Sequence, residues 1–188
     1  PKHAYQLQNH KYKIIHQALI IPNLPPPLHY FNFFSLIGQP NIPILNNPNA
    51  ISSDALDTAV VMSSVSAHMV GQFNTYSIQK ECEFNQHGFH FLNREQLLGT
   101  FPNFKLKRHD AELSVDLNIT TTDTVSCLTR LRFSVVEHWS ILCKCQGQIQ
   151  YQDHIYPIDS LASFEFARSI YFSHVPLAFF TYQVMNIS

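Results

Sequence analysis

The chain has 188 residues, of which 45% are hydrophobic and 13% charged, and twelve Lys and Arg nearly balance thirteen Asp and Glu. A chain of this length buries a core of its own without disulfides or metals, and a near-neutral balance supplies no field to recruit nucleic acid or an anionic membrane surface. No apolar run of about 18 residues is present, so no membrane span is expected; the opening Pro1, Lys2 and His3 lack the apolar core of a signal peptide, which points to the cytoplasm and reduced thiols.

Residues 4–21 place Leu7, Ile14, Ile15, Ala18 and Leu19 at helical spacing and stop at Pro22, which reads as a helix within an amino-terminal extension, residues 1–27. Residues 29–37 are aromatic and branched and read as a strand, while 25–27 and 39–49 are Pro- and Asn-rich loops. Residues 52–70 begin with Ser and Asp capping candidates, but Val60, Val61 and Val65 suit a strand as well as a helix. Tyr76, Ile78, Cys82 and Phe84 alternate with polar residues, and Gly88 separates them from 89–92, the layout of a hairpin.

The second half is clearer. Ala111, Leu113, Val115, Leu117 and Ile119 share one face of an extended segment, and Glu112, Ser114, Asp116, Asn118 and Thr120 share the other. Residues 128–136 read as another strand. Trp139, Ile141, Cys143, Cys145, Ile149 and Tyr151 point one way, while Lys144, Gln146, Gln148 and Gln150 point the other; Gln152, Asp153 and His154 then turn the chain into Ile155, Tyr156 and Ile158. Many antiparallel strands at short spacing make an all-β protein, a lipocalin-like barrel or a sandwich with few short helices. A wide interior would hold a ligand and a narrow one would be filled by its own side chains.

Four cysteines, Cys82, Cys127, Cys143 and Cys145, are present. Cys143 and Cys145 stand two apart on one strand face, about 7 Å, too far for a good disulfide, and read as small buried hydrophobes. Eleven histidines form no metal-binding motif; His87 and His90 flank Gly88, a turn former, and no metal or other cofactor is expected. No Gly-rich phosphate loop or nucleophile elbow occurs.

The run Leu98-Gly99-Thr100-Phe101-Pro102-Asn103-Phe104, the strand over 111–120, and Gly147-Gln148-Ile149-Gln150-Tyr151 leading to Phe164-Glu165-Phe166-Ala167-Arg168 resemble the lipocalin-like superfamily of carotenoid 1,2-hydratases (hydroxyneurosporene synthases) and AttH-like proteins, over residues 95–168. The chain departs from that pattern where His29-Tyr30-Phe31-Asn32-Phe33 replaces a Trp-rich opening motif and where Asp153-His154 replaces a hairpin glycine. The resemblance implies a lipocalin-like β domain over residues 28–174 and two similar halves in one protein, with 175–188 starting the second half. It carries over no catalytic residue.

The function expected from this reading is binding of a hydrophobic small molecule, of lipid or isoprenoid type, in a pocket lined by Trp139, Tyr151, Phe164, Phe166 and Arg168. Hydration or isomerisation of that ligand is the enzymatic alternative, with Glu165, His138 and Asp159 as the acid/base candidates. Glu137 and His138 face opposite sides of their strand; Glu165 and Arg168 are candidates for an ion pair at the barrel mouth or for holding the ligand's polar end. A third alternative is a non-catalytic half that docks the second β half.

Overall fold

A computed structural model describes residues 14–38, 57–68, 73–85, 87–130 and 136–169, without the side chains of 126–130 and 136. In chain order the strands are β1 (Ile14–Ile21), β2 (Phe31–Ile37), β3 (Thr58–Val65) and β4 (Phe73–Ser77), then the short helix α1 (Ile78–Glu81), then β5 (Cys82–Asn85), β6 (Gly88–Phe91), β7 (Glu95–Thr100), β8 (Asn103–Arg108), β9 (Leu113–Arg130), β10 (Val136–Tyr151) and β11 (His154–Ser169). They form one eleven-stranded antiparallel sheet, ordered β4-β3-β2-β1-β11-β10-β9-β8-β7-β6-β5, curled into a nearly closed barrel. The expected all-β barrel is therefore what the chain forms.

The topology is an up-and-down meander closed by an unusual join. Every strand pairs with its sequence neighbour except β4 and β5, and the ring is completed by β1 against β11, from Ile14↔Ser169 to Ile20↔Ser163. Between β4 and β5 stands α1. Ser77 caps it, accepting the Lys80 N–H at 3.3 Å, while Glu81 accepts the Ser77 N–H at 2.7 Å and Asp57 accepts the Gln79 N–H at 2.8 Å. The alternation expected to run unbroken through residues 76–84 is thus interrupted, because these caps give the backbone a local alternative to the sheet. The hairpin beyond it forms as expected, with Cys82↔Phe91 and Asn85↔Gly88 in register.

The helix expected within 4–21 is a strand over its described part. All eight residues of β1 are buried, so both faces are covered and carry apolar side chains around His16 and Gln17, and a run buried on both faces does not distinguish helix from strand by periodicity. Flanked by β2 and β11, β1 lies inside the sheet. In 52–70, where helix and strand were equally readable, the described part is β3. Residues 39–49 and 175–188 lie outside the described residues.

Most of the inner wall is apolar and dense. Phe31, Phe91, Leu117, Cys143, Ile149 and Phe164 each expose 0% of their surface, so no water-sized space adjoins them and this middle section is filled. One end is stoppered by the β1–β2 connection, where buried Leu24 and Leu28 join the core and the Leu28 carbonyl accepts the Ser66 N–H at 2.9 Å. Near that end Tyr151 packs its ring on His68 at 5.9 Å, and its hydroxyl lies 3.4 Å from the Ala67 carbonyl oxygen.

Candidate functional site

Alternation fixes what faces inward. In β1, Ile15, Leu19 and Ile21 belong to the core, so Gln17 between them faces the lumen; the same phase turns Ser35 of β2 and Ser63 of β3 inward. Gln17 is 0% exposed and Ser63 1%. The Ser35 hydroxyl donates to the Gln17 amide oxygen at 2.9 Å. Among the described residues, Gln17 Nε2 and Ser63 Oγ have no hydrogen-bond partner, and neither has Nε1 of buried Trp139. An unsatisfied buried polar group costs about 1–3 kcal/mol, so three on one inner wall need a reason.

Trp139 on β10 and Gln17 on β1 are the two cross-strand neighbours of Phe166 on β11. The indole stacks on Phe166 at 5.3 Å, packs against Phe101 at 5.4 Å and meets Phe164 at 6.1 Å. One step further along, Arg168 Nε donates to Glu137 Oε2 at 2.8 Å, and its Nη2 reaches the same oxygen at 2.8 Å. Their side chains are 10% and 13% exposed. Of the five pocket residues expected from the sequence, Trp139, Phe164, Phe166 and Arg168 lie together along this stretch of wall, and Tyr151 lies at the stoppered end.

The ion pair expected between Glu165 and Arg168 does not form. Residues three apart on a strand face opposite ways: Arg168 turns inward to Glu137, and Glu165 turns outward, 3.7 Å from His138 Nε2. Glu137 and His138 do face opposite sides. His138 and Glu165 thus come together on the convex face, with His16 beside them, since His16 and His138 both flank Ala167 in register. The His16 ring packs on Phe34 at 4.7 Å, and burial lowers its pKa from 6.5 to about 4, against the opposing pull of Glu165. Asp159 is exposed and lies 3.7 Å from Lys144.

Sequence reading missed the polar stripe of Gln17, Ser35 and Ser63, and it missed a buried ionic group in which Arg108 Nη1 donates to Glu95 Oε1 at 2.7 Å and the Tyr76 hydroxyl donates to Glu95 Oε2 at 2.8 Å. Burial pushes the Glu95 carboxyl up, with Arg108 pulling it back. In the sequence the stripe shows only as Gln17, Ser35 and Ser63 among apolar neighbours, and its inward phase becomes readable only from the strand pairing. Outside the barrel, Gln96, Lys107, Asp116 and Gln148 line a polar groove of about 360 Å³ on β7–β10. Among the described residues, no group of three or more His, Cys, Asp or Glu is placed to hold a metal ion, and no helix is long and apolar enough to cross a membrane.

A model described as a family of unknown function, DUF6670, matches residues 34–188. The chain belongs to the DUF6670 family. Among solved structures, the DUF6670 chain is similar to the crystal structure of an AttH candidate from Nitrosomonas europaea, with a TM-score of 0.55 and 11% identity over 85% of this chain and 52% of that one. At that identity the likeness is one of fold, and the DUF6670 chain spans about half the length of the protein it matches. No curated protein matches it.

Proposed function

We propose that this DUF6670 barrel binds a hydrophobic small molecule at the end where Trp139, Phe101 and Phe166 meet the Glu137–Arg168 pair. The observation that carries the reading is the set of buried donors, Gln17 Nε2 and Trp139 Nε1, to which no described side chain or backbone group supplies an acceptor. The filled middle of the barrel restricts the ligand to that end, and the aromatic rings there match an apolar body of lipid or isoprenoid type. The reading stops at binding. Glu165 and His138, the acid and base of the hydratase or isomerase alternative, sit on the opposite face of the sheet from Trp139.

Because Trp139 is the sole tryptophan of the chain, its fluorescence reports on this site alone. Native mass spectrometry of the protein as purified, solvent extraction, and titration of the emptied protein with retinol test the reading. A stoichiometric apolar species and energy transfer from Trp139 to retinol are expected. An empty protein whose Trp139 emission ignores every apolar probe would overturn it and favour a second reading, a non-catalytic half of a two-barrel protein, which the filled interior and the 52% coverage support.

A further inference from the structure

The outer wall of a barrel curves away from solvent, yet over β7–β10 it carries a groove of about 360 Å³. Its floor is a row of side chains in cross-strand register. Gln96 of β7 stands opposite Lys107 of β8, Lys107 opposite Asp116 of β9, and Asp116 opposite Gln148 of β10. Neighbouring strands lie about 4.8 Å apart, so the row spans about 14 Å. Beyond one end of it, local bonds hold the groove's shape. The His109 N–H donates to the Arg94 carbonyl at 2.8 Å, Arg94 donates to Asn74 at 2.9 Å, and the Ser114 hydroxyl donates to the Asp110 carbonyl at 2.8 Å. A surface fixed in this way loses little freedom when a ligand settles on it.

The charges around the groove cancel in pairs until one is left. Buried Arg108 binds Glu95 at 2.7 Å and Asp110 at 3.3 Å, and Arg94 lies 3.9 Å from the same Asp110. Asp116 turns to the diagonal Lys105 at 3.0 Å and not to Lys107 directly opposite. Among the described residues, Lys107 therefore has no ion-pair partner, and it stands exposed in the groove. The carboxamides of Gln96 and Gln148 lie in the same row, and each can both donate and accept. Val115, the one apolar residue of the lining, is 3% exposed, so the groove offers an apolar ligand nothing to cover.

We propose that this groove binds a small hydrophilic anion on a hydroxylated body, a sugar acid or a sugar phosphate. Lys107 Nζ holds the charged group, and the Gln96 and Gln148 carboxamides take hydroxyls on either side of it. The site is separate from the apolar one proposed above: it lies on the outer face of β10, whereas Trp139 points inward. A cation would meet Lys107 and be repelled, and a neutral sugar would leave that charge unused.

Amide NMR of the nitrogen-15-labelled full chain at low salt tests this, with glucuronate, glucose 6-phosphate, glucose, acetate and inorganic phosphate as probes. At least one of the two sugar anions should shift the backbone amides of Lys107, Asp116 and Gln148 with a dissociation constant on the order of 1 mM; the tighter of the two tells whether a carboxylate or a phosphate is preferred. Glucose, acetate and inorganic phosphate should each bind at least about fivefold more weakly. Lys107→Met should reduce the sugar anion to the level of glucose, and Gln148→Ala should reduce it toward that of the bare ion. Both positions are exposed, so the fold is kept, and Trp139 emission should stay the same throughout. Acetate or phosphate binding as tightly as the sugar anions would leave an adventitious ion only and overturn the proposal. So would glucose binding equally well, shifts that survive Lys107→Met unchanged, or no shift in this row. None of these outcomes bears on the apolar site, which is read by Trp139 emission.

Discussion

Tyr76 on β4 donates its hydroxyl to Glu95 on β7 at 2.8 Å, across the seam where β4 and β5 share no backbone pairing. The Tyr76 ring also packs on Phe91 at 5.8 Å, and Arg94 donates to Asn74 at 2.9 Å over the same gap. Side chains therefore close a barrel that its backbone leaves open. Tyr76→Phe should lower stability by about 1.5–3 kcal/mol, as removing a donor from a buried acid does. Arg108→Met should cost about 3–5 kcal/mol by leaving the Glu95 charge unpaired. Urea unfolding of both variants checks the order; a smaller loss for Arg108→Met would mean that Glu95, its pKa raised by burial, is folded in its neutral form.

His16 makes stability pH-dependent. Its pKa is about 4 in the folded protein against 6.5 ordinarily, so between those values the unfolded chain binds more protons. The contribution is complete above about pH 6.5 and is lost as pH falls toward 4, about 3 kcal/mol in all. His16→Phe should flatten the dependence of the urea midpoint over that window. An unchanged slope would place the acid sensitivity on other groups.

Gly147 sits inside β10 opposite Leu117 with φ at 150°, and a Cβ there would collide with the Asp116 carbonyl oxygen. Gly147→Ala should cost about 3 kcal/mol, since both conformational strain and a backbone clash oppose it. Thermal unfolding measures the loss; a shift in melting temperature too small to resolve would show that β9 and β10 separate there without penalty.

Cys143 and Cys145 are fully buried, and burial pushes their thiols up to about 12. At pH 8 both should stay unmodified by iodoacetamide in the folded protein and react within minutes in denaturant, because the thiolate is the nucleophile. Peptide mapping before and after unfolding distinguishes the two. Labelling of Cys145 in the native state would require the wall of β10 to open.

The strand stretches over 113–120 and 141–149 were legible because each has one wet face, which imposes a period of two on the sequence, whereas residues 164–167 of β11 are buried on both faces and 131–135 lie outside the described residues. β1 was not legible: buried on both faces, it sets Ile, Ala and Leu on either side of the adjacent pair His16-Gln17 without alternation, and helical spacing fits such a run as well as a strand does. α1 was hidden by its length, four residues set by Ser77, Glu81 and Asp57. Trp139, Phe164, Phe166 and Arg168 could be chosen as neighbours because they lie on adjacent strands joined by a visible hairpin. Gln17, Ser35 and Ser63 could not, since calling a polar residue inward requires the strand's phase, and in β1 to β3 that phase exists only once the fold is known. Pairing Glu165 with Arg168 failed on local parity, and that error was avoidable from the sequence.

The join of β1 to β11 sets the order of events during synthesis. From the moment β2 folds against it, β1 offers an apolar, hydrogen-bonding edge whose proper occupant, the segment around Phe164 and Phe166, is among the last parts of the described chain to leave the ribosome. Throughout that interval the nascent chain carries an open template for pairing with other chains. Chaperone dependence and aggregation of truncated products should therefore track the absence of β11 more closely than the loss of any single core side chain.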